Sequence, residues 1–233
     1  MIIDTKFDFR SDSKGRDPDL YSPSLKLYHQ YLWSKSLPSG AKLNLETESG
    51  HYLLHRSKLE LFSLSSDTIS NSQRARKSMK PIIDSIPLAD LDSFQALGST
   101  VGARILFPGK KKNGRLTINV ARGLNNKIVD RFDLTLECIR LQYLGVDNPL
   151  RETLETYWSF FELFEDFDGY VQFFLLQDLV DGGQVRFFLP FGEGFTNPSL
   201  PVSIEDYALY RSNTMDFVSA RNERIKSWVA LNL

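Results

Sequence analysis

The spacing of apolar residues changes near residue 124, and this change constrains the fold more than any other feature. Between residues 41 and 123, short runs such as "HYLLHRS" and "LFSLSSDT" alternate or favour β structure and are separated by turn residues. Beyond residue 124, Phe132, Leu136 and Ile139 recur at helical spacing. Strands followed by helices predict an α+β fold in which C-terminal helices pack on a central, mainly antiparallel sheet.

The length and composition fit one globular domain. The chain has 233 residues, of which 42% are hydrophobic and 24% charged, close to the average for such domains. We therefore treat residues 1–233 as a single domain with a polar N-terminal segment (1–20), a strand-rich part (41–123) and a helix-rich part (124–233). Helix starts are predicted at Ser22, which is followed by Pro23, and at Ser203.

The sequence predicts no targeting or membrane segment. Its first residues are charged, and no run approaches the roughly 20 apolar residues that a membrane span requires. The single cysteine, Cys138, excludes an internal disulfide and falls within a helical pattern, so it is predicted to be a small buried residue. We expect a cytoplasmic protein that does not interact with membranes.

Two strands and a hairpin are predicted between residues 103 and 123. The runs "ARILFPG" and "RLTINVARG" alternate, and "PGKKKNG" between them has the residues of a hairpin loop. Asn119 would lie in the second strand, either at the surface or facing a cavity. Arg122 at the end of that strand could bind a phosphate or carboxylate with two hydrogen bonds. No glycine-rich phosphate fingerprint is present, so the cofactor stays unknown.

A row of charged residues follows on the next predicted helix. Asp130, Asp133, Glu137 and Arg140 are spaced by three, four and three residues, which places them on one helical face. Asp133 or Glu137 could act as acid or base in an enzyme that acts on a nucleotide or nucleic acid, beside Arg140. The same spacing is equally typical of an exposed ladder of ion pairs.

Charge is distributed unevenly along the chain. Residues 73–127 contain 11 basic and 3 acidic residues, a net charge of +8, whereas residues 145–183 contain 1 basic and 9 acidic residues, a net charge of −8. The basic segment favours an anionic ligand, although charge runs often form solvated surfaces. Alternatively, the acidic segment binds a protein partner, and the chain is a regulatory interaction module. Nucleic acid is a less favoured partner, because only Phe107 supplies an aromatic ring near "GKKKNGR".

Our main hypothesis is that the chain binds a phosphate-bearing small molecule such as a nucleotide. Arg221, in "RNERI" of the last predicted helix, is added to the candidate residues for ligand binding. The hypothesis requires that Arg122, Asp133, Glu137 and Arg221 converge in one concave pocket.

The histidines do not predict a metal site. His51 and His55 share a face of the predicted strand, but no cysteine or clustered carboxylate nearby completes a ligand set. The run "LLHRS" before "FSLSSDT" is similar to the strand histidine of ADP-ribosyltransferase-like folds, where a histidine contacts a nicotinamide nucleotide. This likeness makes His55 a candidate ligand-binding residue.

Several blocks carry a wider resemblance. They are "FDF" (7–9), "SPSLKLYHQYLWSKSLPSG" (22–40), "SSDTI" (65–69), "TINVARG" (117–123), "DRFDLTLECIR" (130–140), "FFLLQDLV" (173–180) and "RNERI" (221–225). Through these blocks the chain resembles an uncharacterised family of bacterial and phage proteins, a domain of unknown function. The resemblance implies no activity, cofactor or catalytic set, so function has to be argued from the residues.

Overall fold

A computed structural model describes residues 3–47, 52–58 and 60–232. The chain begins with two short helices, α1 (Pro18–Tyr21) and α2 (Pro23–Trp33). As predicted, Ser22 caps α2: its side chain accepts a hydrogen bond from the Leu25 backbone N–H at 3.0 Å, and Pro23 is the first helical residue.

The central sheet is antiparallel throughout, as the sequence predicted. Its four strands follow chain order: β1 (Glu46–Thr47), β2 (Leu53–Arg56), β3 (Leu61–Thr68) and β4 (Arg104–Pro108). Between β3 and β4 the chain forms α3 (Lys80–Ile83) and α4 (Leu88–Leu97). In the β3–β4 register Ser66 lies opposite Leu106 and Asp67 lies opposite Ile105. The α+β fold is confirmed. His51 lies outside the described residues.

The predicted hairpin after β4 is wrong, because "TINVARG" forms a helix, α5 (Ile118–Leu124). Thr117 caps it by accepting from the Val120 N–H at 3.4 Å. The buried residues Ile118, Ala121 and Arg122 follow a spacing of three and four, so the alternation seen in the sequence was ambiguous over so short a run. Asn119 and Arg122 therefore project from a helix rather than a strand.

The C-terminal half is helical. It contains α6 (Phe132–Tyr143), α7 (Arg151–Thr156), α8 (Trp158–Phe161), α9 (Phe167–Phe173), a small hairpin of β5 (Val180–Asp181) and β6 (Gln184–Val185), and α10 (Ile204–Asn232). Two expectations are corrected here. The apolar run 167–183 was predicted as one buried helix, but α9 ends at Phe173. The run "QVRFFLPF" was predicted as a strand, but only Gln184–Val185 pairs, after a turn with positive φ at Gly182 and Gly183 (55° and 76°).

Aromatic residues dominate the core where α10 meets the sheet and the shorter helices. Tyr207 and Tyr210 of α10 are fully buried, as are Phe160, Phe161 and Phe164. Ser203 starts α10 as predicted, since its side chain accepts from the Asp206 N–H at 3.0 Å. Cys138 is also buried, and burial raises the pKa of its thiol well above the usual value. The core is thus continuous from α2 to α10.

We expect Gly102→Ala to lower the free energy of unfolding by about 1–3 kcal/mol, the usual cost of overpacking. The residues before β4 pack directly on α10, and a Cβ atom at Gly102 would lie 2.5 Å from Asn222 Oδ1 and 2.7 Å from the Val218 carbonyl oxygen. Gly123→Ala is the matched control. Nothing lies within 4 Å of a Cβ atom there, so this helical change should stabilise the protein by about 0.5–1 kcal/mol. Urea unfolding measures both variants, and equal effects would contradict the close approach of Gly102 to α10.

Candidate functional site

A polar cavity of about 600 Å³ lies beside the end of β3. Its walls come from α1, from β3 and the loop after it, from the end of α4, from the start of β4 and from the start of α5. Most of the lining residues are polar, and they include Arg10, Asp17, Asp19, Ser65, Ser66, Asp67, Thr68, Ser70, Asn71, Ser99, Arg104 and Asn119. Tyr52 and Phe94 add aromatic surface. A cavity of this size, with several polar groups directed to one space, is typical of small-molecule sites.

A chain of hydrogen bonds ends at Asp19 in the wall of this cavity. The indole N–H of Trp33 donates to His29 Nδ1 at 3.0 Å, and His29 Nε2 lies 3.0 Å from Ser66 Oγ. The Ser66 hydroxyl donates to Asp19 Oδ1 at 2.5 Å, and Arg104 donates to Asp19 Oδ2, also at 2.5 Å. These contacts fix the carboxylate of a four-residue helix against the sheet.

The direction of this chain decides what Ser66 can do. An indole nitrogen only donates, so His29 Nδ1 must be the accepting nitrogen and the proton of the neutral ring sits on Nε2. His29 therefore donates to Ser66 rather than accepting from it. Burial lowers the pKa of His29 to about 3, and the nearby cations of Arg104 and Arg221 act in the same direction. Although Ser66 and His29 are adjacent, His29 is not arranged to activate Ser66 as a nucleophile.

Asp67 is another carboxylate of the cavity, and it is held by Arg122 and Asn119. Arg122 Nη1 donates to Asp67 Oδ2 at 2.7 Å. Only one orientation of the Asn119 amide suits its neighbours: with Nδ2 toward Asp67, the nitrogen lies 3.2 Å from Oδ1 and 3.1 Å from Oδ2. Asn119 lines the cavity itself, while the guanidinium of Arg122 lies behind the carboxylate and is fully buried. Asn119 and Arg122, which the sequence predicted as site residues, thus both contact Asp67, which it did not predict.

Arg122 also holds the loop before α6. Its Nη1 donates to the Thr68 carbonyl at 3.1 Å and its Nη2 to the Asp130 carbonyl at 3.0 Å, while Nε lies 3.2 Å from Asp130 Oδ1. Val129 and Asp130 adopt positive φ angles of 48° and 63°, a strained conformation for a β-branched residue such as valine. Gln73 supports the loop as well, since its amide donates to the Val129 carbonyl at 2.9 Å. The surroundings of Asp67 are therefore rigid.

The environment of Asp67 favours its protonated form. Burial raises the pKa of this carboxyl to about 7, with nearby Asp130 and Asp19 adding to the effect and Arg122 opposing it. A carboxyl with a pKa near neutrality can donate or accept a proton under ordinary conditions. Perturbed carboxyls in polar cavities are also a recurring feature of functional sites. Asp67 is consequently the strongest candidate for proton transfer around this cavity.

The four residues that were expected to converge do not share a pocket. Asp133 is fully buried in α6, where Arg131 Nε donates to it at 3.1 Å and the Phe188 N–H donates at 2.9 Å. Arg221 is fully buried in α10 and donates to backbone carbonyls. Neither residue lines the cavity of Asp67. The expected placement was wrong because helix spacing alone does not reveal which polar residues pair inside the core.

Glu137 and Arg140 lie together at a different cavity. Arg140 donates from Nε and Nη2 to the Glu137 carboxylate at 2.7 and 2.8 Å, an ion pair within one helical turn. The cavity beside them, of about 630 Å³, has three aromatic residues in its wall, Phe187, Phe191 and Phe195, among charged, polar and aliphatic ones. The predicted roles of Asp133 and Glu137 as acid or base, and of Arg140 and Arg221 in ligand binding, stay predictions.

His55 lies on β2, away from the cavity of Asp67. Its side chain is buried, its ring stacks on Phe62 with 6.1 Å between the centroids, and Nδ1 is 3.2 Å from the backbone of Asn44. These contacts are those of a core histidine, although its predicted role in ligand binding remains untested. Within the described ranges, no three histidine, cysteine or acidic side chains are grouped as metal ligands would be.

Sequence reasoning missed Asp19, Ser66 and Asp67. The signal was present: "SSDT" places an aspartate and three hydroxyl residues in a strand next to apolar residues, where buried polar groups require partners. Asp19, by contrast, belongs to a polar N-terminal segment. Nothing local in the sequence indicates that it contacts Ser66 of the sheet, which lies 47 residues later in the chain.

Comparison with known proteins gives a family but no activity. A model of a family of unknown function, DUF6994, matches residues 3–225. The chain belongs to this family. The DUF6994 match spans α1 to most of α10 and therefore includes Asp19 and Asp67 of the cavity. No curated protein and no solved structure matches the chain significantly. In the parts of the chain that the structure describes, no helix combines the length and apolarity needed to cross a bilayer.

Proposed function

We propose that the cavity of Asp67 binds a small hydroxylated molecule, such as a sugar or the sugar of a nucleoside or nucleotide. The observation that carries the proposal is that two carboxylates held by hydrogen bonds, Asp19 and Asp67, share one cavity with several hydroxyl and amide side chains. Carboxylates and amides accept and donate the hydrogen bonds that ligand hydroxyl groups require. Tyr52 and Phe94 contribute aromatic side chains to the cavity wall.

The charges of the cavity favour a hydroxylated ligand over a bare anion. Arg104 is paired with Asp19, and Arg10 is paired with Asp8 at 2.5 Å. Arg122 is buried behind Asp67 and is already bonded to it. The cations near the cavity are therefore neutralised by carboxylates, so they add little attraction for a phosphate group. A nucleotide would be held here mainly through its sugar.

Asp67 can also take part in proton transfer with a bound ligand. When ionised, its carboxylate can accept a hydrogen bond from a ligand hydroxyl, and with a pKa of about 7 it can also take up or return the proton. The enzyme hypothesis accordingly moves from Asp133 and Glu137 to Asp67. The alternative of a regulatory module, with residues 145–183 binding a protein partner, stays a prediction that no contact of the cavity favours.

The test is a thermal-shift and calorimetry screen with monosaccharides, nucleosides and nucleotides. A ligand present at a hundred times its dissociation constant should stabilise the protein by about 2.7 kcal/mol and raise the melting temperature. Asn119→Ala should weaken binding about tenfold, the effect of losing roughly 1.4 kcal/mol of interaction. Asn213→Ala is the matched control, because this partly buried amide donates only to the Phe188 carbonyl, away from the cavity.

The dependence of binding on pH checks the part assigned to Asp67. If its ionised form accepts a ligand hydroxyl, affinity should rise as pH increases through about 7, and Asp67→Asn should flatten this profile. The proposal would be abandoned if no ligand in the screen raised the melting temperature at millimolar concentration. Equal losses of binding in Asn119→Ala and Asn213→Ala would also count against it.

A further inference from the structure

A second surface of the protein carries positive charge that the fold does not neutralise. A groove of about 480 Å³ lies between residues 74–80 and the helices α3 and α4. Four cations line it, Arg74, Arg76, Lys77 and Lys80, against the single carboxylate of Asp84. None of the groove's lining residues also lines the cavity of Asp67. The two sites are therefore separate.

Arg76 is fixed in the groove by neutral partners. Its Nε donates to Gln73 Oε1 at 2.8 Å, and its Nη2 donates to the Gly123 carbonyl at 2.8 Å. These acceptors orient the guanidinium without cancelling its charge, in contrast to Arg104 and Arg122, which face carboxylates. Among the described residues, no ion pair involves any of the four cations of the groove. The guanidinium is thus both positioned and available to an anion.

The support behind Arg76 is itself rigid. Gln73 is buried, and its backbone adopts a positive φ of 59°. The Gln73 N–H donates to Asn71 Oδ1 at 2.7 Å, and its side-chain amide donates to the Val129 carbonyl at 2.9 Å. Two loops therefore hold the residue that orients Arg76. A guanidinium that is already positioned loses less conformational freedom when it binds an anion than a free surface side chain does.

The remaining cations suit a multiply charged anion. Arg74, Lys77 and Lys80 are exposed around Arg76, and their long side chains can close on a bound group. The floor is apolar, formed in part by Ile83, Ile86 and Leu91. Apolar walls reduce the screening of the interaction by water, so charges that face the groove act more strongly than on an open surface. Arginine also matches the geometry of phosphate oxygens with two parallel hydrogen bonds.

We propose that this groove binds the phosphate group of a soluble phosphorylated molecule, with Arg76 as the fixed contact and Arg74, Lys77 and Lys80 as mobile ones. The proposal does not depend on the ligand of the Asp67 cavity. The sequence suggested that the basic central segment binds an anion through Arg122. In the present proposal the phosphate contact is Arg76 instead.

Calorimetry with inorganic tripolyphosphate and with inorganic phosphate tests the proposal on the full chain. We expect saturable binding of tripolyphosphate that weakens as salt increases, and at least a tenfold loss of affinity in Arg76→Gln. The matched control is Arg115→Gln, which removes an exposed arginine of the same basic segment that is paired with Glu152 at 2.9 Å. This control should bind as the unchanged protein does.

Other outcomes separate the alternatives. Should Arg76→Gln fail to fold, as judged by circular dichroism, the double change Lys77→Gln and Lys80→Gln carries the test, with the same direction of effect expected. Absence of binding at millimolar tripolyphosphate, or an equal loss in Arg115→Gln, would overturn the proposal. Binding only to vesicles that contain phosphatidic acid, with none to tripolyphosphate, would also overturn it, because the groove would then recognise a lipid surface. A failure here leaves the sugar-binding test of Asn119→Ala unaffected.

Discussion

Replacing Arg221 with methionine is expected to lower the free energy of unfolding by about 3–5 kcal/mol, the largest effect of any single change considered for this chain. Arg221 lies on α10 and is fully buried. Its Nη1 donates to the Gly102 and Arg104 carbonyls at 2.8 and 2.7 Å, and Nε and Nη2 donate to the Phe174 carbonyl at 3.2 and 2.8 Å. One side chain thus joins three segments of the fold.

The cost has two opposing parts. Burial of a cation among neutral acceptors is unfavourable, and burial lowers the pKa of Arg221 to about 9. Removing the guanidinium relieves that cost but leaves three buried carbonyls without this donor, at about 1–3 kcal/mol for each carbonyl that finds no other partner. We expect the loss of hydrogen bonds to exceed the relief, because methionine fills much of the volume but supplies no donor.

Arg224→Met is the control for this change. Arg224 lies one turn further along α10, is partly exposed and pairs with Asp178 at 2.7 Å. Surface ion pairs contribute about 0–1 kcal/mol, so this variant should unfold almost as the unchanged protein does. Urea unfolding monitored by tryptophan fluorescence compares the two variants. If Arg221→Met came within 1 kcal/mol of the unchanged protein, the view that Arg221 joins these segments would be wrong.

His29→Gln is expected to remove a large acid-dependent loss of stability. The pKa of His29 is about 3 in the folded protein against 6.5 in the unfolded chain, because its ring is buried beside Arg104 and Arg221. Between these values the unfolded state binds more protons, so the contribution of His29 to stability falls as pH decreases from 6.5 toward 3. At about 1.36 kcal/mol per pH unit, the loss between pH 7 and pH 4 is roughly 3 kcal/mol.

Asp67 acts in the opposite direction over the same range. Its pKa is raised from 3.8 to about 7, so the folded state binds more protons between these values, and the contribution of Asp67 to stability falls as pH rises. The two slopes partly cancel in the unchanged protein. The informative quantity is therefore the difference in unfolding free energy between His29→Gln and the unchanged chain, which should shift by about 3 kcal/mol between pH 7 and pH 4 in favour of the variant.

Ser66→Ala serves as the control, because it removes the hydroxyl that His29 contacts but keeps the buried ring. Its unfolding free energy should keep most of the pH dependence. Chemical denaturation at four or five pH values would suffice. Parallel pH profiles for His29→Gln and the unchanged protein would show that His29 is not held neutral by burial.

The residues around Asp67 and those around Asp133 show how much of the site could be predicted from the sequence. Asn119 and Arg122 were predicted as site residues from their positions within and at the end of an alternating run; Asn119 lines the cavity, and Arg122 lies behind it, bonded to Asp67. Their partner Asp67, 55 residues before Arg122, could not be found because no local pattern links β3 to α5. The spacing correctly placed Asp133 and Glu137 on one helix. In the structure, however, Asp133 is buried against Arg131 and the Phe188 backbone, whereas Glu137 lines another cavity.

By itself, the sequence determined the α+β class, the antiparallel sheet, the capped starts of α2 and α10, and the burial of Cys138. Each of these follows from interactions between residues close together in the chain: apolar periodicity, capping side chains and turn chemistry. Only the tertiary structure decided that 118–124 is a helix, that Asp19 and Asp67 share a cavity, and that Arg122 is paired with carboxylates whereas Arg76 is held by neutral acceptors. Those outcomes depend on which distant polar groups pair when the core closes, and pairing inside a low-dielectric interior outweighs weak local preferences.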